Sequence, residues 1–319
     1  MNSDTLAVAA PAVDAAPTLR RKPKCAATGA RRTVENLIHL IFFLCGVVAV
    51  AFVLLISVYL VLSGLPAIRE IGLVQFLFGR VWDPTNTTTG AQYGILAFLL
   101  TSIYGTAGAI LVGVPVGLMT AVFLARVAPP RLAAAIRTAV QLLAGIPSVV
   151  YGLVGMIVLV PALQRTFDLR SGACLFAAIL VLAVMILPSI INVSETALRA
   201  VPKEYEEASL ALGATEMETC FHVILPAARS GVATAVVLGV GRAIGEAMAI
   251  IMVAGNVSNM PGLFTPVRFL TTGIVSGMAY ASVGSLYQQA LYSIALVLFL
   301  FIMLINVALN LFIKNRKEN

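Results

Sequence analysis

Long runs of apolar residues recur along the chain, separated by shorter polar segments. Each run is long enough to cross roughly 30 Å of hydrocarbon at about 1.5 Å per helical residue. The runs are continuous and far longer than a membrane barrel strand of about 10 residues, so helices are predicted rather than strands. The fold class is therefore an all-α, polytopic membrane helix bundle. Six spans are predicted, at about 37–64, 95–124, 133–162, 173–198, 230–256 and 287–313.

The composition agrees with a membrane setting and leaves little room for a large soluble domain. Hydrophobic residues make up 60% of the 319 residues and charged residues only 11%. A soluble protein of this composition could not cover its surface with polar groups. Residues 1–34 are rich in Ala, Pro and Thr and carry six cations, which predicts a disordered cytoplasmic tail. We therefore expect two regions, the tail 1–34 and a transmembrane domain 35–319.

Lys and Arg residues are unevenly divided between the two sides that the spans define. With the N-terminus inside, 15 lie on the cytoplasmic side and five outside. This bias predicts that both termini and the segment 201–226 are cytoplasmic. The net charge of +7 is then explained by the cytoplasmic cations that set the membrane topology. The cations are dispersed and have no aromatic residues between them, which argues against nucleic-acid binding.

Groups that could form a metal or catalytic centre are scarce. The four cysteines are scattered without metal-ligand spacing, and only two histidines are present, His39 and His222. The nucleotide-binding motif GxxxxGK[ST] does not occur in the chain. We therefore expect no cofactor, no metal and no enzyme activity, so that any ATP hydrolysis must come from a partner.

The segment 201–226 is a polar interruption of an otherwise apolar chain. Three glutamates follow Pro202 and place negative charge at a helix N-terminus, where the helix dipole favours it. Gly213 permits a sharp turn, and a second short helix is predicted over about 215–222. Pro226 then breaks the helix before the next span. The pattern predicts a helical hairpin that stands out of the membrane.

Two charged residues lie inside the predicted fifth span. Arg242 is about 12 residues, or roughly 18 Å, from the cytoplasmic end, where an unpaired arginine costs at least about 2.5–3.5 kcal/mol. Glu246 follows one helical turn later, so the two side chains are expected to meet. Either they form a structural ion pair, or Arg242 offers a fixed positive charge to a passing oxyanion while Glu246 keeps Arg242 from binding that anion too tightly.

Other polar features of the spans allow a structural as well as a functional interpretation. Glu195 lies near the inner end of the fourth span and precedes Arg199 by four residues, so a helix-surface ion pair is one interpretation and a transport role the other. Pro147-Ser148 and Pro188-Ser189 each place a helix breaker beside a hydroxyl group, which predicts kinks.

The cytoplasmic segment resembles the EAA loop of ABC importer permeases. That signature reads Glu-Ala-Ala, three residues, Gly, nine residues, Ile, one residue and Leu-Pro, and the chain matches its spacing throughout. Ser replaces the second Ala, and Val replaces Ile. The matching residues are Glu207, Ala208, Ser209, Gly213, Val223, Leu225 and Pro226. The resemblance implies a coupling helix that docks in a groove on a cytoplasmic ATPase, and the alternative is a solvated loop that only joins two spans.

Further stretches resemble the permeases of phosphate importers, and among these the PstC-type subunit rather than its PstA-type partner. They are 82–84 with 93–95, 143–152, 187–189 with 194–196, and 241–246. The resemblance implies a MetI-like fold of the type I importers in a bacterial inner membrane. It also implies that Arg242 and Glu246 act in transport.

The same resemblance implies a set of partners. These are a PstA-like permease, a PstB-like ATPase dimer, a periplasmic PstS-like phosphate-binding protein, and phosphate itself. A permease for sulfate, molybdate or a phosphonate, and the PstA-type subunit, remain alternatives within this class. From a different class, a passive anion channel would explain Arg242 but would leave the EAA spacing without a role.

Overall fold

The structure, a computed structural model, describes residues 29–86 and 90–318, with side chains for 35–86, 90–309 and 311. In chain order the helices are α1 (Gly29–Ile71), α2 (Leu73–Phe78), α3 (Leu96–Val122), α4 (Pro130–Gly145), α5 (Ser148–Val154), α6 (Val160–Thr166), α7 (Leu175–Arg199), α8 (Lys203–Ala211), α9 (Glu216–Thr219), α10 (Leu225–Ala227), α11 (Arg229–Gly245), α12 (Met248–Val253), α13 (Leu270–Met278) and α14 (Leu286–Glu318). Three π-helical stretches, Phe123–Val127, Gly155–Leu159 and Cys220–Ile224, join neighbouring helices. Two short strands, β1 (Trp82–Asp83) and β2 (Gln92–Tyr93), pair antiparallel.

The predicted all-α membrane bundle is confirmed. Five helical stretches of the described residues are long and apolar enough to cross a membrane: Glu35–Ile71, Leu96–Val127, Ser148–Thr166, Leu175–Arg199 and Leu286–Leu309. A sixth crossing results if Glu216–Ala227 and Arg229–Gly245, which meet at 70°, form one bent span.

Two of the predicted spans are not continuous helices. The span predicted at 133–162 is split because Ile146 and Pro147 have extended backbones, with ψ of 126° and 141°, and a new helix starts at Ser148. The span predicted at 230–256 is split at Glu246, where ψ is 131°. The first break coincides with the predicted kink at Pro147, whereas no proline marks the second.

The N-terminal region also differs from its prediction. Helix α1 begins at Gly29, so residues 29–34, predicted as part of a disordered tail, are helical. Residues 1–28 lie outside the described residues, and the tail prediction there stays untested. The chain divides into two compact units between Leu55 and Ile56. Within the first unit, the side chains of residues 35–54 are exposed and mostly apolar, as on a lipid-facing helix.

The packing of α3 against α7 forms the centre of the second unit. Small residues on α3 allow the two backbones to approach closely, as in other membrane helix pairs. A Cβ atom added at Gly113 would lie 2.7 Å from Ile186, and one at Gly117 would lie 2.8 Å from Ile190. Both isoleucines are buried on α7, so larger residues on α3 would push the two helices apart.

Aromatic rings close the end of the bundle that carries the two strands. The Trp82 ring centroid lies 5.6 Å from that of Tyr93 and 5.5 Å from that of Phe98. Nearby, the Ser293 hydroxyl of α14 donates to the Gly64 carbonyl at 2.6 Å. These contacts join β1 to β2 and α3, and the C-terminal part of α1 to α14.

Candidate functional site

The predicted helical hairpin is present and is formed by α8 and α9. Helix α8 follows Pro202, and the chain turns at Gly213, whose φ of +89° favours glycine. Helix α9 then begins with a capping box at Thr215 and Glu218. The second helix is shorter than predicted, because its α-helical geometry gives way to the π-helical stretch Cys220–Ile224.

Hydrogen bonds hold the start of α9 in place. Glu218 Oε2 accepts from the Thr215 N–H at 2.8 Å and from the Thr215 hydroxyl at 2.9 Å. In return, the Glu218 N–H donates to Thr215 Oγ1 at 3.3 Å. These bonds favour the carboxylate, so they hold the pKa of Glu218 below its usual value.

The residues that match the EAA signature divide into two groups. Glu207, Ala208, Gly213 and Pro226 are exposed. Ser209, Val223 and Leu225 are half-buried, and the Ser209 hydroxyl lies 2.8 Å from that of Thr219. The serine that replaces the second alanine of the signature therefore joins α8 to α9.

Large apolar side chains project from the same hairpin. Leu212, beside the turn, is 90% exposed, and Tyr205, Leu210 and Met217 are also exposed. Clustered exposed apolar residues are typical of a protein-docking surface. The hairpin therefore offers a partner an apolar tip with Glu207 and Ala208 beside it.

A network of ion pairs lies where the hairpin meets the bundle. The buried Glu195 Oε1 accepts from Arg199 Nε at 2.9 Å and from Arg137 Nε at 2.8 Å. Arg126 Nη1 pairs with Glu206 Oε2 of α8 at 2.5 Å. The predicted pair of Glu195 with Arg199 is thus confirmed.

Sequence reasoning missed the other two pairs of this network. They join residues far apart in the chain, so no local spacing pointed to them. Arg126 and Arg137 counted only as cytoplasmic cations in the topology prediction.

The predicted contact between Arg242 and Glu246 does not form. The contact required a continuous helix, but α11 ends at Gly245 and the Glu246 backbone is extended. Glu246 Oε1 instead accepts from the Ala249 N–H at 3.0 Å, in the first turn of α12. Arg242, in the last turn of α11, is exposed and forms no ion pair with another described residue.

The two helix breaks lie close to one another. After the first break, Tyr151 donates its hydroxyl hydrogen to the Leu143 carbonyl at 2.6 Å and so bridges α4 and α5. A Cβ atom added at Gly152 would lie only 2.8 Å from the Ala249 Cα atom, which shows how closely α5 and α12 approach. The stretches 143–152 and 241–246 of the phosphate-permease resemblance thus come from two interrupted spans that pack on each other.

A second cation, Arg268, is half-buried just before α13. Its Nε donates to the Asn256 side-chain oxygen at 2.9 Å, and its Nη2 donates to the Asn256 carbonyl at 2.8 Å. Its guanidinium also lies 5.7 Å from the centre of the Phe98 ring. Burial lowers the pKa of Arg268, although an arginine stays charged at neutral pH.

The large groove of the bundle is not suited to an anion. It has a volume of about 750 Å³ and lies between α3, α5 and α7. Side chains such as Val116, Val154 and Val184 line it, together with other apolar residues. An anion placed there would lose its hydration without gaining hydrogen bonds, so the charged residues at the helix breaks are better candidates.

The sequence also matches a known family. Residues 113–316, which include the hairpin and both helix breaks, match the family described as "Binding-protein-dependent transport system inner membrane component". The chain belongs to this family and is a permease subunit of an ABC importer, an integral membrane protein that works with an ATPase and a substrate-binding protein.

Individual relatives extend over most of the chain. It is 38% identical over 268 residues to the "Probable ABC transporter permease protein YqgH" of Bacillus subtilis, covering 82% of this chain and 86% of that protein. It is 36% identical over 267 residues to the "Phosphate transport system permease protein PstC" of Haemophilus influenzae, covering 76% of this chain and 82% of that protein. The PstC of Pasteurella multocida is 35% identical over 246 residues, with 71% and 75% covered.

Solved structures share the fold. A bacterial alginate ABC transporter has a TM-score of 0.58 at 15% identity, covering 90% of this chain and 98% of that chain. The MetNI methionine ABC transporter in an inward-facing form has a TM-score of 0.55 at 22% identity, covering 69% and 95%. At these identities the likeness concerns the fold alone, and it agrees with the predicted MetI-like architecture.

Proposed function

We propose that this chain is the PstC-type permease subunit of an importer for inorganic phosphate. It would work with a PstA-like permease, a PstB-like ATPase dimer and a periplasmic PstS-like phosphate-binding protein. The relatives named PstC support the substrate, and the exposed Arg242 at the end of α11 is the structural observation on which the proposal rests. Both termini and the hairpin 203–219 are proposed to be cytoplasmic.

In this proposal Arg242 attracts the phosphate. Its guanidinium has a planar fork of donors that matches two oxygens of a tetrahedral oxyanion. Because Arg242 has no carboxylate partner among the described residues, an arriving anion would not have to displace one. Glu246, four residues later, repels an anion and would keep the binding weak enough for release. Both residues are thus proposed to line the pathway.

Glu195 fits this pathway less well. Its carboxylate is buried and already holds Arg137 and Arg199, so it is poorly placed to act on a passing anion. We favour a structural role for Glu195 at the inner end of α7.

The hairpin 203–219, together with Val223, Leu225 and Pro226, is proposed to couple the permease to the ATPase. Its exposed apolar tip would dock in a groove on the ATPase, as the EAA signature implies. Closure of the two ATPase subunits would then move the hairpin and switch the bundle between outward and inward openings. A permease for another oxyanion stays the second candidate. A guanidinium group does not by itself distinguish phosphate from sulfate. The name of the relative from Bacillus subtilis also mentions no substrate.

Uptake of labelled phosphate tests the proposal. Cells lacking other phosphate systems should take up phosphate only when they express this chain with its partners, and arsenate should compete whereas sulfate should not. Uptake of sulfate or molybdate with no uptake of phosphate would overturn the substrate and leave the importer fold intact.

Variants at the helix break test the role of the cation. Arg242→Gln should lower phosphate uptake by about tenfold or more at equal expression. Arg242→Lys keeps the positive charge but lacks the planar set of donors, so it should retain part of the uptake. Arg229→Gln is the matched control, since Arg229 is an exposed arginine at the opposite end of the same helix. Normal uptake by Arg242→Gln would contradict a pathway role.

A further inference from the structure

Arg126 joins three parts of the molecule at the inner end of α3. It lies in the π-helical stretch Phe123–Val127, and its side chain is 18% exposed. Nη2 donates to the Leu198 carbonyl of α7 at 2.9 Å, and Nη1 pairs with Glu206 of α8. One planar guanidinium therefore contacts the end of one transmembrane helix and the side of the hairpin.

The contact with α7 is reciprocal. Arg199, at the end of α7, donates from Nη2 to the Leu124 carbonyl at 2.9 Å, just as Arg126 donates to Leu198. The last carbonyls of a helix lack partners within the helix and carry partial negative charge. Each of the two helix ends is thus capped by an arginine of the other, which joins the inner ends of α3 and α7 into one unit.

The hairpin is attached to this unit through Glu206. Among the described residues, the pair of Arg126 with Glu206 is the one side-chain hydrogen bond or ion pair between residues 203–219 and the transmembrane helices. The covalent route to α11 passes through the π-helical stretch Cys220–Ile224 and a 70° bend. Cys220 and Ile224 of this stretch are buried in one apolar cluster with Val122 and Leu198, and the pair of Arg126 with Glu206 adds a polar contact to this packing.

We propose that Arg126 is a positioning residue that passes the movement of the hairpin 203–219 to the inner ends of α3 and α7 through its pair with Glu206. It has this role only if the hairpin docks the ATPase, as proposed above. The buried Arg126 Nε has no hydrogen-bond partner among the described residues. A buried donor left unsatisfied is costly, so the bonds of the two Nη groups to the hairpin and to α7 must outweigh this cost to keep the guanidinium in place.

A distance measurement tests this link without reference to the substrate. Spin labels at exposed Val127 and Lys203, in the assembled complex with the native cysteines replaced, report the position of α8 relative to the end of α3. We expect a narrow distance distribution that stays narrow and nearly unchanged when ATP is added, because the linked elements move together. Arg126→Gln and Glu206→Gln should each broaden it, and the double variant should broaden it no further. An unchanged distribution in both single variants would overturn the inference.

Transport per ATP hydrolysed gives the second readout. Arg126→Gln should bind the ATPase and hydrolyse ATP within about twofold of wild type but import about five- to tenfold less phosphate per ATP. Arg131→Gln is the matched control, because Arg131 is an exposed arginine in the first turn of α4 without an ion pair to a described residue. Parallel loss of ATPase binding and uptake would mean that Arg126 only stabilises the hairpin.

The outcomes separate the two proposals. If the wild-type complex imports no phosphate but the labels respond to Arg126→Gln, the substrate is wrong and the link stands. If wild type imports phosphate and Arg126→Gln imports as much per ATP, the coupling function stands and the role of Arg126 is wrong.

Discussion

Gly213 provides a direct test of the coupling role proposed for the hairpin 203–219, because its substitution changes the backbone and little else. Its φ is +89°, and a Cβ atom added there would have no neighbour within 4 Å. A side chain at this position therefore causes no steric clash with the rest of the protein. The cost is the backbone strain of an L-residue at positive φ, about 1–2 kcal/mol, and a β-branched side chain lies at the upper end of this range.

This cost translates into a measurable loss of affinity. In Gly213→Val the turn should be destabilised by about 1–2 kcal/mol relative to other loop conformations, so the fraction of hairpins ready to dock falls. The apparent affinity for the ATPase should then fall by up to about five- to thirtyfold, since each 1.4 kcal/mol corresponds to about tenfold. Membrane insertion should not change, because the turn lies outside the transmembrane helices.

The assay is binding of the purified ATPase to the permease pair in lipid nanodiscs, measured together with phosphate uptake in cells. Gly213→Asn is the matched control, because asparagine tolerates positive φ better than other non-glycine residues and should keep most of the affinity. If Gly213→Val binds the ATPase and supports uptake as well as wild type, the turn geometry does not matter for docking and the reasoning fails.

Three further predictions concern pH, topology and the buried carboxylate. Because hydrogen bonds from Thr215 lower the pKa of Glu218, the cap stabilises α9 above the usual glutamate pKa and is lost as pH falls through the lowered one. The protection of α9 amides, measured as hydrogen exchange relative to the intrinsic rate at each pH, should therefore fall only at acidic pH, and equal protection across that range would contradict the cap. In a background without native cysteines, a cysteine at Ser209 should react only with reagent on the cytoplasmic side and one at Asn86 only from outside, and the opposite labelling would reverse the proposed orientation. Glu195→Gln leaves two arginines without their carboxylate and should lower the free energy of unfolding by about 1–3 kcal/mol. The thermal transition of the solubilised protein should therefore move to a lower temperature. Loss of phosphate uptake with unchanged stability would instead favour a transport role for Glu195.

Features that depend on neighbouring residues in the chain could be predicted from the sequence. Apolar runs identified most membrane helices, since the length of a run alone decides whether it can cross the bilayer. Pro202 and Gly213 marked the start of α8 and the turn after it. The pair of Glu195 with Arg199 followed from their spacing of one helical turn.

Features that depend on tertiary packing could not be predicted. The pairs of Arg126 with Glu206 and of Arg137 with Glu195 join residues 80 and 58 positions apart, and nothing local distinguishes these arginines from other cytoplasmic cations. No proline marks the break at Glu246 in the sequence. The apolar run through 230–256 therefore suggested a continuous span and, with it, a contact that the structure does not contain.

The break at Glu246 changes how the two charges of this span are stabilised. In a continuous helix, Arg242 and Glu246 would have had to neutralise each other. In the interrupted span, Arg242 lies in the last turn of α11, where the negative end of the helix dipole favours a cation. Glu246 accepts a backbone N–H in the first turn of α12, where the positive end favours an anion.

Each charge is thus stabilised by a helix end instead of by the other. A salt bridge between them would have to open before Arg242 could bind a substrate oxyanion, at the cost of that interaction. With the helix interrupted, Arg242 keeps an exposed guanidinium and Glu246 keeps a fixed position nearby. Interrupted helices at the middle of the membrane bind ions in other transporters, because the helix ends there supply partial charges without the use of a charged side chain. In the proposed pathway, the break that sequence reasoning missed is therefore the feature that keeps Arg242 available to phosphate.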